Sequence, residues 1–549
     1  MFLRTLTTRK GDCSHTYLKL VENHRQRGKV VQKVLVNFGN VTNWPEKKVK
    51  DLLEKLSLFF EIEKPLFFED VDPRRSLNFG EALALNAMWE RLDLSQLIDS
   101  LLAEKKVEFQ VSQPVKAMVF NRLIEPRSKR GVVSWLKEQF IPGIDTEIPP
   151  QHYYRALDYL IEIKEPLEEK LHARITDLLT WDLSLVFYDI TSSYFEGGKC
   201  EIAHKGYSRD HRSDCEQIEI GLLVNNEGIP ISHSVFEGNV KDQNTLPEIL
   251  GAMQERFRIK RCVFVGDNAF ATPDNIDTLV EAGYEYIFST KLRRNQEVID
   301  LLAKSLPPRK EFTRLKENLF VKELPAIENV RFIACYNPVR AKETRRKRER
   351  RLKESETFLK QFSLPRRKKQ TKDKNKIHSQ IERFLRKKKT LKFFEYEYRK
   401  ECDFSYQLRK DQLEQEKRND GLLVLQTNSK ELKAEDIATG YRTLVEVEEA
   451  FREIKSFIRI RPIRHWAELR VRGHVFVCVL AYLLEKLIER SLKDSAIDLT
   501  AKAALEKLSS LKAVVNELMG RKLRKRTEIT PEQSRIYRAL GIESVPKIV

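Results

Sequence analysis

The chain has 549 residues, 41% of them hydrophobic, enough for about three or four domains with real cores. Its formal net charge is +19, of which the segment 342–400, with 24 Lys and Arg against 8 Asp and Glu, carries +16. No apolar run reaches the roughly 18 residues of a membrane span, no signal-peptide pattern opens the chain, and the seven cysteines show neither zinc nor disulfide spacing; an intracellular protein with reduced thiols is expected.

Residues 1–45 are rich in Val, Thr, Leu and Tyr, and segments 16–21 and 30–36 read as paired strands with Arg27-Gly28 near the turn, a small β region. From 46 to 180 the apolar residues fall three and four apart (80–102, 114–123, 153–179), which predicts a helical region with room for a DNA-binding helix-turn-helix, although no recognition helix stands out. Near Trp181 the period changes. Residues 183–190 are a largely apolar run, as in a strand buried on both faces. Segments 217–224 and 229–236 form a hairpin around Asn225-Asn226-Glu227-Gly228. A helix at 246–257, a buried strand at 261–266, a helix at 273–282 stopped by Gly283, and a strand at 284–289 follow. This order predicts an α/β mixed sheet with flanking helices, beginning at 181–290.

Residues 291–435 interrupt that domain, with strand-like pieces at 330–335 and 422–426 around the basic block. Such a block repels itself unless a polyanion neutralises it, and nucleic acid is the commonest such partner. The plainer alternative is a solvated basic arm without a role. The domain resumes over 436–492, with a long helix from Tyr441 and a second, apolar helix over 471–492. Residues 493–549 read as a basic C-terminal tail, with Thr530-Pro531-Glu532 as a helix start.

The two buried strands end alike: Leu185-Val186-Phe187-Tyr188 runs into Asp189, and Val263-Phe264-Val265-Gly266 into Asp267. Sites in open α/β sheets form at the carboxyl ends of strands. Two carboxylates brought together there repel, and a divalent cation relieves the repulsion; hard oxygen ligands favour magnesium or manganese. Read alone, each Asp serves equally well as a turn or helix cap. A third carboxylate is available on the Tyr441 helix, whose core face is Leu444, Val447, Phe451, Ile454 and Ile458. On a helical wheel Glu448 lies about 80° from the centre of that face and Glu446 about 120°, with Glu449 and Glu453 further into solvent. Tyr441, Arg452 and Lys455 share the Glu448 edge. Ordinary pairing of Glu448 with Arg452 at i, i+4 explains the pattern as well. His204, His211 and His233 show no metal spacing, and Asp242 reads as a turn residue.

These residues resemble the DDE transposases of bacterial insertion sequences, in the group marked by a Tyr-x2-Arg-x3-Glu-x6-Lys signature. Tyr441, Glu448 and Lys455 fall at the required spacing, while the signature Arg position is Leu444, a departure. Arg442, Arg452 or the pair Arg459 and Arg461 are the candidates to replace it. The resemblance continues through Tyr188-Asp189-Ile190-Thr191-Ser192, the segment 206–212, Phe236-Glu237-Gly238-Asn239, Gly266-Asp267-Asn268-Ala269-Phe270 and Arg461-Pro462, spanning roughly 180–480. It implies a ribonuclease H-like catalytic domain with Asp189 on the first strand, Asp267 just after the fourth and Glu448 on a later helix. An insertion between Asp267 and Glu448 is common in such domains, and 181 positions separate the two here. It further implies two Mg²⁺ ions (Mn²⁺ substituting) about 3.5–4 Å apart, held by Asp189, Asp267 and Glu448, for in-line attack on a phosphodiester. Tyr441, Arg452, Lys455, Arg459 and Arg461 would bind DNA phosphate. The implied partners are double-stranded element ends and target DNA, with a homodimer in the paired-end complex, in the bacterial cytoplasm. Two other readings stay open: a DNA-binding regulator without catalysis, and a ribonuclease H-like nuclease that hydrolyses without joining.

Overall fold

The computed structural model describes residues 1–549 except 12, 27–28, 62–71, 145–146, 180–184, 197–199, 258, 260–261, 291, 293–294, 364–372, 401–402, 519–520 and 549. The turn expected at Arg27-Gly28, the change of period at Trp181 and the expected strand starts at 183 and 261 lie outside the described residues. The chain forms two compact units: residues 1–76 with 514–525 and 548, and residues 77–513 with 526–547.

In the first unit, alternating Val, Leu and Thr build an antiparallel sheet of β1 (Phe2–Lys10), β2 (Cys13–Gln26) and β3 (Lys29–Asn40), in that order. β1 goes beyond the two strands expected; it pairs along β2 from Phe2 opposite Val21 to Lys10 opposite Cys13. Helix Glu46–Phe59 and strand β4 (Asp72–Asn78) follow.

The second unit begins with helices Gly80–Arg91, Leu94–Leu101, Ser112–Ile124, Lys129–Leu136, Pro150–Glu162 and Lys164–Leu179. Three of them, Gly80–Arg91, Ser112–Ile124 and Pro150–Glu162, pack on the 27-residue helix Glu468–Asp494. That helix is buried almost all round between Val471 and Leu492, as expected for an apolar helix at the centre of a layer rather than on its surface. Gly473 makes the closest crossing possible: a Cβ there would lie 2.7 Å from the backbone oxygen of Leu157.

The sheet that follows takes β5 (Leu185–Tyr194), β6 (Gln217–Asn225), β7 (Pro230–Glu237), β8 (Val263–Gly266), β9 (Glu285–Ser289), β10 (Thr313–Lys316), β11 (Leu319–Ile327) and β12 (Val330–Tyr336). A small separate hairpin, β13 (Phe394–Lys400) with β14 (Asp403–Leu408), precedes its last member, β15 (Leu422–Thr427). The nine strands lie in the order β10-β11-β12-β15-β9-β8-β5-β6-β7. β8 runs parallel to both β5 and β9, and the other pairs are antiparallel. All nine residues of β6 are buried, since helices or strands cover both of its faces. Tyr188 from the middle of β5 packs with Phe264 of β8, Phe288 of β9 and Phe270.

Two expectations change. The helix expected at 246–257 divides into an α-helix, Leu246–Gly251, and a π-helical turn, Ala252–Arg256. The segment 291–435, expected as an interruption, contributes β10, β11, β12 and β15 to the same sheet because β12 and β9 both pair with β15. The part that leaves the sheet is 338–421. There helices Pro338–Lys360 and Lys374–Lys388 bury Leu352, Leu359, Ile377, Ile381 and Leu385 against Phe393, Phe394 and Phe404, forming a core of their own. In its described part the basic block is therefore carried on folded helices, with its Lys and Arg mostly facing outward. Arg348 is an exception: it is buried in a two-pronged ion pair with Asp420, fastening the long helix to the root of β15.

The described part of residues 493–549, expected as a tail, is folded as well. It holds helix Ala501–Leu508, strands β16 (Lys512–Leu518) and β17 (Arg521–Arg526), and helix Pro531–Ala539. β17, β16 and β4 form a three-stranded sheet in that order. The Thr530 start carries a capping box closed by Gln533.

Candidate active site

Asp189 sits in the middle of β5, opposite Leu222 of β6, and Asp267 follows β8 directly. The strand expected to end at Asp189 runs on to Tyr194, and because β5 and β8 are parallel and in register, Asp189 comes level with Asp267 just past the last residue of β8. The Asp267 carboxylate accepts the backbone N–H of Ala269 at 2.7 Å, so it also shapes the turn that carries it. Asp189 is largely enclosed, and burial pushes its carboxyl up to about 7. The nearby charges of Asp267 and Asp242 push the same way, while a backbone hydrogen bond at Ile190 and the Arg209 guanidinium oppose them.

The third carboxylate arrives on a broken helix. The long helix expected from Tyr441 is two helices, Ala434–Arg442 and Val445–Ser456, separated by Thr443 and Leu444. Thr443 turns its hydroxyl back to the Thr439 carbonyl at 3.2 Å, and the N–H groups of Leu444 and Val447 both bond three residues back. The expected core face holds: Leu444, Val447, Phe451, Ile454 and Ile458 are all buried. The wheel misplaces the glutamates, however. Glu448 is exposed, whereas Glu449 and Glu453, expected further into solvent, are half-buried and act on the buried Glu485 of helix Glu468–Asp494. A wheel with one core direction has no place for that second packing partner.

Tyr441 ties the three carboxylates to one neighbourhood. Its phenol is half-buried, hydrogen-bonded with Ser289, and raised in pKa by burial and by the charges of Asp267, Glu448 and Asp189. Among the described residues, no three His, Cys, Asp or Glu side chains are gathered closely enough to hold an ion. The donors are nonetheless of one kind, hard carboxylate oxygens, and the Asp189–Asp267 pair concentrates the negative charge that a cation relieves.

Arg209, whose charge acts on the Asp189 carboxyl, belongs to a network of ion pairs that neutralises most of its own cations. Arg209 donates to Glu219 and to Asp242, each at 2.7 Å, and its backbone N–H to Ser192 at 2.9 Å. Lys455 donates to Asp210 at 2.8 Å, and Arg461 pairs with the same buried carboxylate. Burial lowers the Lys455 pKa, against the Asp210 bond that holds its proton. Glu219 is driven up to about 7, chiefly by burial. Arg452 pairs with Glu449 at 2.7 Å rather than with Glu448. Arg459 takes a left-handed backbone, φ 54°, and its carbonyl accepts from the buried Arg122 at 3.1 Å. Sequence reasoning missed Arg209, Asp210 and Glu219 as individual residues, and took Asp242 for a turn residue. Glu219 did leave a signal, a lone carboxylate within Gln217–Asn225, a strand otherwise almost free of charge.

A cleft of about 1450 Å³ opens beside Glu448 and Tyr441, lined also by Asn268, Lys316, Arg340 and Arg442.

No curated protein matches the chain. A solved structure described as the Mos1 transposase paired-end complex with left transposon end is similar over 45% of this chain and 68% of that one, at 16% identity and a TM-score of 0.15, too loose a superposition to bear on the fold. Residues 3–64 match the model of the IS1634 family transposase N-terminal domain. Residues 180–484, more than half of the chain and the whole span holding Asp189, Asp267 and Glu448, match the model of the transposase DDE domain, and the chain belongs to that family: it is a DDE transposase.

Proposed function

We propose that Asp189, Asp267 and Glu448 hold the divalent metal that a DDE transposase uses, magnesium in the first instance, and that the site cuts element ends and joins them to target DNA. The observation that carries this reading is the register of β5 and β8, which sets Asp189 level with Asp267 beside a cleft lined by Asn268, Tyr441 and Glu448, the last on a helix 181 positions later. The five strands β7-β6-β5-β8-β9, antiparallel on one side of β5 and parallel on the other, support a ribonuclease H-like core. In it Asp189 belongs to the first strand and Asp267 to the end of the fourth.

Bound divalent cations supply the positive charge that offsets both Asp carboxylates and the charge developing on the phosphate. The chain's own residues do the rest. Asp189 and Asp267 would hold those ions at one place on the sheet, because β5 and β8 are locked in register from Leu185–Val263 to Phe187–Val265. Lys455 and Arg461 share one carboxylate, Asp210, so they present a net positive charge for a DNA phosphate beside the site. Tyr441 adds a hydroxyl from helix Ala434–Arg442, and Arg452 and Arg459 lie exposed on helix Val445–Ser456 and in the turn after it. The attacking group is water in the first step and the freed 3′-hydroxyl in the second, and no carboxylate need act as the base. Paired ends call for two copies of the chain.

The test is a strand-transfer assay with labelled DNA carrying the element's own ends and a target plasmid, in Mg²⁺, Mn²⁺ and EDTA. Joined product in metal, absent for Glu448→Gln, is expected. Cleavage without joining would make the protein a hydrolytic nuclease instead.

A further inference from the structure

We infer that Lys316, Arg340 and Arg442 form a phosphate-binding wall for substrate DNA in the cleft beside Glu448. This rests on the carboxylate site proposed above. Several basic residues considered for the site are already engaged: Arg209 by Glu219 and Asp242, Lys455 and Arg461 by Asp210, Arg452 by Glu449. Lys316, Arg340 and Arg442 differ. All three are exposed, all three line the same cleft, and among the described residues no ion pair involves any of them. They come from three separate elements, the end of β10, the first turn of helix Pro338–Lys360 and the end of helix Ala434–Arg442, so their convergence is a product of the fold and not of one charged run.

Three such cations facing one carboxylate, Glu448, leave the lining short of negative charge. A polyanion completes it at the lowest cost, because each phosphate it brings releases bound counterions. The volume of about 1450 Å³ exceeds the roughly 300–1,000 Å³ typical of a small-molecule pocket and is open enough for a length of nucleic-acid backbone. The N-terminus of helix Pro338–Lys360 adds to the positive field, since Asn337, which caps it, and Arg340 both line the cleft.

The proposal is tested with the full chain, a random-sequence 30-base-pair duplex as probe, and fluorescence anisotropy across a salt series in EDTA. The variants are Lys316→Gln, Arg340→Gln and Arg442→Gln, singly and together, with Arg442→Lys as the charge-keeping control. Each Gln variant is expected to lower the slope of log affinity against log salt by about 0.9, the three together by about 2–3, and Arg442→Lys to keep the wild-type slope. A triple variant with wild-type affinity and slope would overturn the proposal. Because the binding is read without metal, that result leaves the carboxylate site untouched. Conversely, wild-type protein that shows the slope change on mutation but fails to bind Mn²⁺ in calorimetry would sink the carboxylate reading alone.

Discussion

Replacing Asp189 with Asn is expected to make the metal-free protein more stable while abolishing cleavage. The carboxyl is raised from an ordinary 3.8 to about 7, mainly by burial. A shift of roughly three units corresponds to about 4 kcal/mol. Part of the side chain remains accessible, so this is an upper figure. The sign follows from proton linkage: the folded state keeps the Asp189 proton to a higher pH than the unfolded chain does. Stability from this group is complete below about pH 4, falls as pH rises through 4–7 and stays low above. Asn has the same shape and no charge, so it escapes the penalty. Urea unfolding in EDTA should show a higher midpoint for Asp189→Asn at pH 8, with the gain shrinking to about 1–2 kcal/mol at pH 5. Added Mg²⁺ should stabilise the wild type at pH 8 and leave the variant unchanged. A variant no more stable than wild type at pH 8, or a gain equal at both pH values, would refute the idea that Asp189 is strained by burial and like charge.

Three further expectations follow from the packing. Arg122 is buried and donates to the carbonyls of Ile458 and Arg459, at 3.4 and 3.1 Å, and to that of Arg127; Arg122→Met should cost about 2–4 kcal/mol in urea unfolding by orphaning those carbonyls in the turn after the Glu448 helix. Glu168 is buried among Lys164, His233 and Arg256, and its carboxyl is held well below the usual range by Lys164, His233 and Arg256 against the opposing effect of burial. Glu168→Gln should therefore cost about 3–5 kcal/mol near pH 7. The difference should narrow as pH falls below about 4.5, where the wild-type stabilisation is itself lost. On the basic helix, changing exposed Arg345, Arg346, Lys347 and Arg350 to Gln should flatten the salt dependence of duplex binding by up to about 0.9 for each phosphate no longer neutralised, and an unchanged slope would make this face an idle one.

The strands of the central sheet were legible in the sequence because burial on both faces leaves long apolar runs, as in Gln217–Asn225, and because Asn225–Gly228 makes a tight turn. Asp189 and Asp267 were legible for the same reason, as carboxylates set directly after apolar runs, although β5 continues past Asp189 to Tyr194. The neighbours of the site were harder. Arg209, Asp210, Glu219 and Asp242 are charged residues scattered over 34 positions, and only their mutual ion pairs, formed in three dimensions, distinguish them from surface charge. The role of β10, β11, β12 and β15 was hidden too, since which strand pairs with β9 is a long-range choice that local alternation does not encode. The basic block read only as a self-repelling, DNA-seeking segment or a solvated arm because its charge is dense; sparse apolar residues such as Ile377, Ile381 and Leu385, four apart, were enough to bury one face.

The most direct test of the central claim is cleavage of labelled DNA carrying the element's own ends, in Mg²⁺ and in EDTA, by wild type and Asp267→Asn. The expected result is nicking at the end by wild type in Mg²⁺ only, with the variant binding the ends and cutting nothing. Metal-dependent nicking by Asp267→Asn at the wild-type rate, or tight binding by wild type without cleavage in any divalent metal, would contradict it.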